Sequence, residues 1–443
     1  MSIKTSKYTF LLPQEDNCVL LYNCRTDAIA VIESEVADLL TTYKDNIEKI
    51  NEIHPSFYEF LIQKKYAVPQ EVIEEEEVIK EWKSLDINNK TFSIFINPTL
   101  DCNLNCWYCF EKHVRHSMIS DEIANRISRL IVHKLTSDKV EYLNLSFFGG
   151  EPLIAYQAFI SPFLEKVDAD CRNHNCQLYV GFVTNATLIT DDMLTQLKSL
   201  QIAQPVNFQV TLDGNELYHN RVKMFANKRG SYRLIIENIR KIVANDMSLT
   251  LRLNMTNENL DSYYDVLDDI TSFPLAKKDL ITIDLQRVWQ DRQEEDKTKF
   301  ERRQINIREA FLQKGFNVNE LKHIDRSRCY ADRDNHVTIN YDGLLYKCTA
   351  KDFSIKNSEG ELLPNGTLKW NEKYNTRLNM RYGNDFCRKC CIFPLCHGGC
   401  SQYKVDTSHI SNQCIRGYDE PYIQKIIEDR AEFLLEQIVN SKQ

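Results

Sequence analysis

Residues 101–113 read DCNLNCWYCFEKH and place Cys102, Cys106 and Cys109 at C-x3-C-x2-C spacing. Three thiolates cannot complete a tetrahedral zinc site, because structural zinc takes four protein ligands. They do suit a cubane 4Fe–4S cluster in which one iron has no protein ligand and can bind a substrate or cofactor. The stretch therefore predicts an iron–sulfur cluster with an open iron, and part of a structural zinc knuckle is the alternative.

The chain around this stretch alternates strands and helices from about residue 91 to 315. Apolar strand segments such as FSIFINPTL, LNLSFFGG, QLYVGFVTN and FQVTLDG are separated by helical segments such as ISDEIANRISRLIVHKL. About six such βα units predict an α/β fold whose parallel sheet is closed or partly closed into a barrel. Ligands in these folds bind at the carboxyl ends of the strands. The sequence places Cys102, Gly149-Gly150-Glu151, Asn185, Asp213 and Asn254 there.

The composition narrows the class of protein further. The 443 residues include 15 cysteines, and 43% are hydrophobic, 27% are charged and the net charge is −8. Such an acidic, globular chain is unsuited to binding nucleic acid or an anionic membrane. No apolar segment approaches the roughly 20 residues of a membrane span. The N-terminus MSIKTSKYTF has no apolar signal core, so we expect a cytoplasmic protein whose thiols bind metal.

The cysteine spacing, with an aromatic residue before the last cysteine and GGEP after the second strand, resembles the radical S-adenosylmethionine (SAM) superfamily. The resemblance implies a partial (β/α)6 barrel, similar to a TIM barrel, over residues 91–315. It also implies that the open iron chelates the amino and carboxylate groups of S-adenosylmethionine. The reduced cluster then cleaves the sulfonium, and a 5′-deoxyadenosyl radical abstracts hydrogen from the substrate.

The resemblance gives two further groups of residues a role in binding S-adenosylmethionine. Tyr108 would pack near the adenine, and the backbone of Gly149, Gly150 and Glu151 would lie against the methionine amino group. Glycine suits that role because it permits a close approach of the backbone. Taken singly, GGEP is an ordinary turn and Tyr108 is an ordinary core residue.

The end of the fourth strand and the segment after it supply the last cofactor-binding residues of the resemblance. Thr211 and Asp213, in TLDG, would lie near the ribose and the carboxylate of the cofactor. Arg221, in HNRVK, would pair with the methionine carboxylate. An exposed surface charge is the alternative interpretation of Arg221.

A second group of cysteines in the C-terminal part of the chain resembles the SPASM extension found after radical SAM barrels. The group comprises Cys329, Cys348, Cys387, Cys390, Cys396, Cys400 and Cys414. The resemblance implies two auxiliary 4Fe–4S clusters, making three in all. The outer auxiliary cluster would be held by Cys387, Cys390, Cys396 and Cys414, and the inner one by Cys329, Cys348 and Cys400. A pair of zinc sites is the alternative.

The inner auxiliary cluster is one ligand short in this sequence. Sulfatase-maturing relatives supply an extra cysteine six positions before the first, and His323 occupies that position here. Either His323 is a ligand, or the iron is open to a substrate group, or His323 is an ordinary surface residue. The remaining cysteines are interpreted as ordinary reduced residues: Cys18, Cys24, Cys171, Cys176 and Cys391.

The first 75 residues predict a small unit of three short strands followed by two amphipathic helices. This pattern resembles the RiPP recognition element, a winged-helix module that binds the leader of a precursor peptide as an added strand. A lid or cap on the barrel is the alternative. We therefore expect domains at 1–75, 91–315 and 316–443, with an acidic linker or solvated helix at 76–90.

These resemblances together predict a radical SAM enzyme with a SPASM domain that modifies a ribosomally synthesised peptide. We prefer an oxidative cross-link, either a thioether or a carbon–carbon or carbon–oxygen bond between side chains. Such a reaction needs an electron acceptor after hydrogen abstraction, and auxiliary clusters can serve as one. A reductant such as flavodoxin or ferredoxin would be a second partner.

Two other functions remain open from the sequence. One is a sulfatase-type maturase that forms formylglycine, although Thr349 follows Cys348 where those relatives have an aspartate. The other is a non-enzymatic iron–sulfur scaffold that binds a peptide, although pure binding would not require an open iron. The precursor peptide, the modified residue and the oligomeric state are not determined by the sequence.

Overall fold

A computed structural model of the protein describes residues 2–44, 46–87, 90–271, 275–291, 297–319, 328–407 and 413–440. The chain divides into two compact units. The larger unit contains residues 89–321 and 335–374, and the smaller unit contains residues 1–88, 322–334 and 375–443. The finer domain boundaries expected from the sequence stay a prediction.

Among the described residues, the N-terminal part of the smaller unit contains five strands and four helices. They are β1 Ile3–Thr5, β2 Thr9–Pro13, β3 Cys18–Asn23, β4 Ala28–Glu33, α1 Ser34–Thr42, α2 Glu48–Ile53, α3 Pro55–Gln63, β5 Ala67–Pro69 and α4 Glu74–Ile87. Strands β2, β3 and β4 form an antiparallel sheet in that order, and β1 pairs with β5. The structure has the three strands and two helices expected here, and adds the short elements β1, α2 and β5.

Strand β3 is buried on both faces. Leu20 and Tyr22 pack in one hydrophobic core, whereas Leu21, which points the opposite way, packs in another. Helix α3 begins with Pro55, which suits the first turn because no backbone N–H is needed there. The Nδ1 atom of His54 accepts a hydrogen bond from the Phe57 N–H at 3.2 Å and caps this helix.

The part of the larger unit that the structure describes contains eleven strands and most of the remaining helices. They are β6 Thr91–Asn97, α5 Asp121–Thr136, β7 Tyr142–Phe147, α6 Ser161–Asn173, β8 Gln177–Thr184, α7 Asp191–Ser199, β9 Asn207–Leu212, α8 Glu216–Val222, α9 Tyr232–Ala244, β10 Ser248–Met255, α10 Tyr263–Thr271, α11 Leu275–Lys278, β11 Ile281–Arg287, α12 Lys297–Gln313, β12 Asn317–Val318, β13 His336–Asn340, β14 Leu344–Tyr346, β15 Gly360–Leu362 and β16 Leu368–Trp370. Helix α13, Glu372–Met380, follows.

These strands form one sheet in the order β12-β11-β10-β9-β8-β7-β6-β13-β14-β15-β16. Strands β6 to β11 are parallel neighbours in chain order, and β13 is parallel to β6. The helices that follow β6, β7, β8 and β9 connect successive parallel strands, as βαβ units require. The predicted α/β architecture with a central parallel sheet is confirmed.

Alternation along the strands separates an apolar core from a polar face. In β9, Phe208, Val210 and Leu212 belong to the large core that includes the surrounding helices. Gln209 and Thr211 are half-buried on the opposite face. The polar face can therefore hold a ligand at the carboxyl ends of the strands.

The C-terminal part of the smaller unit contains the helices α14 Asp385–Lys389, α15 Phe393–Cys396, α16 Ser401–Thr407 and α17 Glu420–Asn440. The core of the smaller unit includes the aromatic rings of Trp82, Tyr382 and Phe393. The centroid of the Trp82 ring lies 6.0 Å from that of Tyr382 and 5.1 Å from that of Phe393. Within the described ranges, no helix has both the length and the apolar content needed to span a membrane.

Candidate functional site

The loop after β6 carries the first three cysteines. Cys102 is buried, Cys106 is half-buried and Cys109 is exposed. The carboxylate of Asp101 organises the loop, because it accepts hydrogen bonds from the Cys102 N–H at 2.8 Å and the His116 N–H at 2.9 Å. Although burial acts to raise its pKa, these backbone donors hold the pKa of Asp101 below its usual range.

The three thiols of this loop lie close enough to act on one another. Burial raises the pKa of Cys102 to about 12 and that of Cys109 to about 11, and Cys106 contributes to both shifts. A bound metal would reverse this effect, since a coordinating thiol is deprotonated. In the part of the chain that the structure describes, no three His, Cys, Asp or Glu side chains converge on a single metal ion. A cubane, which offers a separate iron to each thiolate, does not require such convergence.

The two glycines of GGEP pack directly against the backbone that leads into this loop. The Gly150 N–H donates to the Thr99 carbonyl at 3.1 Å, and the Glu151 N–H donates to the Asp101 carbonyl at 2.8 Å. A Cβ on Gly149 would lie 2.5 Å from the Thr99 oxygen, and one on Gly150 would lie 2.2 Å from the Asp101 oxygen. The glycines are therefore required for the close approach of the GGEP turn to the cysteine loop.

We expect Gly150→Ala to destabilise the larger unit by about 1–3 kcal/mol, because the added Cβ meets backbone atoms that cannot rotate away. Gly181→Ala is the matched control, since a Cβ there would meet its nearest atom, Ser146 Oγ, at an ordinary 3.4 Å. Urea unfolding followed by circular dichroism measures both variants. Equal unfolding midpoints for the two variants would contradict this role of Gly150.

Glu151 is completely buried, and its carboxylate is held by protein donors. It accepts from the Leu153 N–H at 3.0 Å, the Thr184 hydroxyl at 2.7 Å and the Asn185 N–H at 2.7 Å. Burial raises the pKa of Glu151 to about 7 despite these three hydrogen bonds. The carboxylate therefore ties the GGEP turn to the end of β8.

Asn185, at the end of β8, lies beside the cysteine loop. Its Nδ2 is 3.9 Å from the Cys102 Sγ and donates to Asn103 Oδ1 at 2.8 Å. Thr187 completes a ring, because its hydroxyl donates to Asn185 Oδ1 at 2.7 Å and accepts from Asn103 Nδ2 at 2.8 Å. In the sequence, only the position of Asn185 at a strand end indicates this contact.

A buried ion pair holds the aromatic residue of the cysteine loop. Lys223 Nζ donates to Asp213 Oδ2 at 2.5 Å and to the Tyr108 hydroxyl at 2.7 Å. Lys223 is 5% exposed and Asp213 is 1% exposed. Burial alone would lower the pKa of Lys223, but Asp213 and Tyr108 raise it well above its ordinary value. The structure thus brings together Tyr108 and Asp213, both predicted for cofactor binding. Lys223, which joins them, was not predicted.

Arg221 lies outside this group. It is exposed, and its guanidinium lies 5.4 Å from the centroid of the Tyr218 ring. Lys223 provides the basic side chain that reaches Asp213. Thr211 is half-buried on β9 and lies beside Arg252 in the sheet register.

The cysteines assigned to the outer auxiliary cluster are gathered in the smaller unit. Burial raises the pKa of Cys396, Arg416 opposes this shift, and the thiols of Cys387, Cys390 and Cys414 add to it. Asn384 Oδ1 accepts from the Cys387 N–H at 2.8 Å and caps α14. The other three thiols thus all act on the pKa of Cys396, and their shared ligation of iron stays a prediction.

The residues assigned to the inner cluster are divided between the units. Cys329 and Cys400 both belong to the smaller unit, and Cys400 contributes to the raised pKa of Cys329, after burial and Asp332. Cys348 belongs to the larger unit, where its sulfur accepts from the Ala350 N–H at 3.4 Å. His323 lies outside the described residues.

Comparison with protein families identifies the part of the chain that holds the first cysteine loop. Residues 96–270 match the family model of the radical SAM superfamily. The Cysteine-type anaerobic sulfatase-maturating enzyme of Clostridium novyi is 27% identical over 186 residues, which cover 40% of this chain and 46% of that protein. The chain thus spans about half the length of the curated relatives it matches.

Two solved structures share the fold. Native anSMEcpe with bound AdoMet superposes with a TM-score of 0.56 at 18% identity, covering 79% of this chain and 99% of that chain. Streptococcus suis SuiB bound to precursor peptide SuiA superposes with a TM-score of 0.51 at 15% identity, covering 94% and 99% of the two chains. These likenesses establish the central α/β fold.

Proposed function

Since residues 96–270 carry a radical SAM domain, we propose that the chain is a radical enzyme that modifies a ribosomally synthesised precursor peptide. The observation that carries the proposal is the loop of Cys102, Cys106 and Cys109 packed against the GGEP turn. A scaffold that only binds peptides would not need three thiols on a loop this closely supported. The three sulfur donors fit a 4Fe–4S cluster with one iron left for S-adenosylmethionine.

In the mechanism, the bound cluster supplies the electron that cleaves S-adenosylmethionine, and the protein's residues position the reactants. The three cysteine thiolates would hold the cluster at the carboxyl end of β6. Asn185 lies against the Cys102 sulfur, and Lys223 fixes Tyr108. Because the GGEP turn and Asp101 brace the same loop, the reacting groups keep one geometry through the reaction.

The polar face of the sheet suits a peptide backbone. Thr211 and Arg252 are register neighbours on β9 and β10, and Arg252 Nε donates to Asn254 Oδ1 at 3.2 Å. Guanidinium and amide groups bind peptide carbonyls and N–H groups. A peptide lying over these residues would approach the carboxyl ends of the strands, where the cysteine loop begins.

An oxidative cross-link is the preferred reaction. One substrate C–H loses a hydrogen atom, and the bond to the partner atom forms as that partner loses a proton. One electron is then left over and must pass to an acceptor. The thiols of Cys387, Cys390, Cys396 and Cys414 would hold such an acceptor, which would pass the electron to the oxidised form of a carrier such as flavodoxin or ferredoxin.

Strand β4 provides an edge for the leader of the precursor. Within the described residues β4 pairs only with β3, and Val31 is 56% exposed. The Ser34 N–H donates to the Asn17 carbonyl, so Asn17 and Ser34 form a hydrogen-bonded pair at the end of the β3–β4 hairpin. Along an antiparallel hairpin every second pair of facing residues is hydrogen-bonded in this way. Val31 lies opposite Leu20 in one of the pairs that are not hydrogen-bonded to each other, and its N–H therefore faces the free edge of β4.

We expect Val31→Pro to weaken binding of the leader to the full chain by about tenfold, because proline removes an N–H donor from the free edge. Val31→Thr keeps the donor and serves as the control, with affinity within about twofold. Fluorescence anisotropy of a labelled leader peptide measures both. Unchanged affinity in Val31→Pro would count against strand addition at β4.

A formylglycine-forming maturase is the second candidate, because a sulfatase-maturating enzyme is among the relatives. The two candidates separate in one experiment with the anaerobically reconstituted chain, dithionite and S-adenosylmethionine. A leader-containing peptide encoded beside the gene should lose two hydrogens in mass, and a peptide carrying a sulfatase cysteine motif should remain unchanged. Conversion of the cysteine of the sulfatase motif to formylglycine, in which sulfur leaves and an aldehyde oxygen enters, with no change to the leader-containing peptide, would select the maturase. Release of 5′-deoxyadenosine without change to either peptide would exclude both substrates.

A further inference from the structure

Large apolar side chains are exposed on the cysteine loop and the segment that follows it. Trp107 is 58% exposed, and Phe110, Val114 and Met118 are exposed as well. All four lie within residues 103–118, which belong to the larger unit. Exposed apolar side chains that occur together mark sites of interaction with another molecule.

A turn at residues 224–230 packs against this segment. Leu104 forms an isolated antiparallel bridge with Phe225, and the Phe225 N–H donates to the Arg229 carbonyl at 3.0 Å within the turn. The Arg229 guanidinium lies 5.0 Å from the centroid of the Phe225 ring. A cavity of about 630 Å³ lies between the two segments, and Arg115 and Arg229 are among the residues that line it. We call the two segments together the loop–turn surface.

The loop–turn surface is positively charged. Its two segments contain one carboxylate, that of Glu111, and four Lys or Arg side chains: Lys112, Arg115, Lys228 and Arg229. Arg115 is paired with Asp101 at 3.2 Å, whereas Arg229 forms no ion pair with any residue that the structure describes. The whole chain has a net charge of −8, so this surface is a local exception. A local excess of positive charge attracts an acidic partner.

The position of the surface favours an electron carrier as that partner. The loop–turn surface includes Cys106 and Cys109, and the Cys109 side chain is itself exposed. An electron that enters at this loop crosses the least protein before it reaches a cluster held there, and electron transfer slows steeply with distance. A small surface that combines apolar side chains with charge suits the weak, transient complexes of redox proteins.

We propose that the loop–turn surface docks an acidic one-electron carrier of the flavodoxin or ferredoxin class. The inference rests on the proposed function, since it requires a cluster at the cysteine loop. The carrier gives up one electron and the cluster takes it, and no bond is made or broken. The positive charge brings the carrier to the surface, and the exposed apolar side chains, above all Trp107, provide the contact area.

Binding of a dye-labelled acidic flavodoxin to the anaerobically reconstituted full chain, measured by fluorescence anisotropy, tests this role. The double variant Lys228→Glu, Arg229→Glu should bind at least about tenfold more weakly at low salt, and the difference should shrink as salt screens the charges. The matched control is Lys166→Glu, Lys198→Glu, which reverses two exposed charges on α6 and α7. Its affinity should stay within about twofold of the wild type.

Release of 5′-deoxyadenosine is the second measurement. With limiting reduced flavodoxin as the electron donor, Lys228→Glu, Arg229→Glu should release the product at least about tenfold more slowly than the wild type. Dithionite is a small molecule that needs no docking surface, so with dithionite the rate should stay within about twofold. Equal losses with both reductants would overturn the docking role. No release from the wild-type chain with either reductant would instead refute the proposed function, and the binding measurement would still decide the docking surface.

Unchanged binding of flavodoxin to Lys228→Glu, Arg229→Glu, or equal weakening in the control, would overturn the proposal. Weaker binding of the precursor peptide with unchanged binding of flavodoxin would also overturn it, because the surface would then belong to the substrate. If the double variant does not fold, Lys112→Glu, at an exposed lysine of the same surface, replaces it. Lys112→Glu should bind flavodoxin at least about threefold more weakly than Lys166→Glu, and equal affinities would overturn the proposal.

Discussion

Cys106→Ala will lower the release of 5′-deoxyadenosine from S-adenosylmethionine to below about one thousandth of the wild-type rate, a change of more than about 4 kcal/mol in the barrier. The reason is that Cys106 is one of three sulfur donors on the loop, and two thiolates cannot hold a cubane in a fixed position. Cys106 is half-buried, and burial raises the pKa of its thiol, so solvent does not readily replace it as a ligand. Chromatography of anaerobic reactions with dithionite measures the product.

The matched control is Cys171→Ala. Cys171 is a buried thiol of α6 whose hydrogen-bonding partner is Cys176, so its loss leaves the cysteine loop untouched. We expect product release within about twofold of the wild type and the same iron content. Cys387→Ala should likewise retain some release, since its thiol belongs to the smaller unit. Comparable release from Cys106→Ala and the wild type would refute the assignment of the loop.

The sequence predicted the parallel sheet because strand patterning is local. In β7 and β8 every second residue is buried, and the signal needs no knowledge of the rest of the chain. The three cysteines were found for the same reason, since a C-x3-C-x2-C loop brings its own donors together. Short elements such as β1 and β5 were missed, because a three-residue strand carries too few positions to show alternation.

Contacts between distant segments could not be predicted in this way. GGEP was assigned to the methionine amino group, whereas the structure also gives its glycines a packing role against Thr99 and Asp101. Likewise, HNRVK contains three basic residues, and the sequence favoured Arg221. Lys223 directly follows α8, one helical turn after His219, and the Asp213 N–H donates to His219 Nδ1 at 3.3 Å. The four-residue spacing from His219 was the signal in the sequence that could have indicated Lys223 as a neighbour of Asp213.

The second large effect is expected at Lys223. Lys223→Met should destabilise the larger unit by about 3–5 kcal/mol, because it leaves the carboxylate of Asp213 buried without its partner. For a unit of this size the loss corresponds to about 10 °C in melting temperature. Tyr108 also loses a hydrogen bond, so the cluster signal in electron paramagnetic resonance should broaden or weaken.

Arg221→Met provides the control, since that exposed side chain should cost less than about 0.5 kcal/mol when replaced. The double variant Lys223→Met, Asp213→Asn separates charge from shape, because it removes both members of the ion pair. If the buried charge causes the loss, the double variant should recover at least about half of the stability lost in Lys223→Met. Additive losses of stability in the double variant would show that the two residues act independently. A larger loss of stability from Arg221→Met than from Lys223→Met would show that Arg221, and not Lys223, has this role.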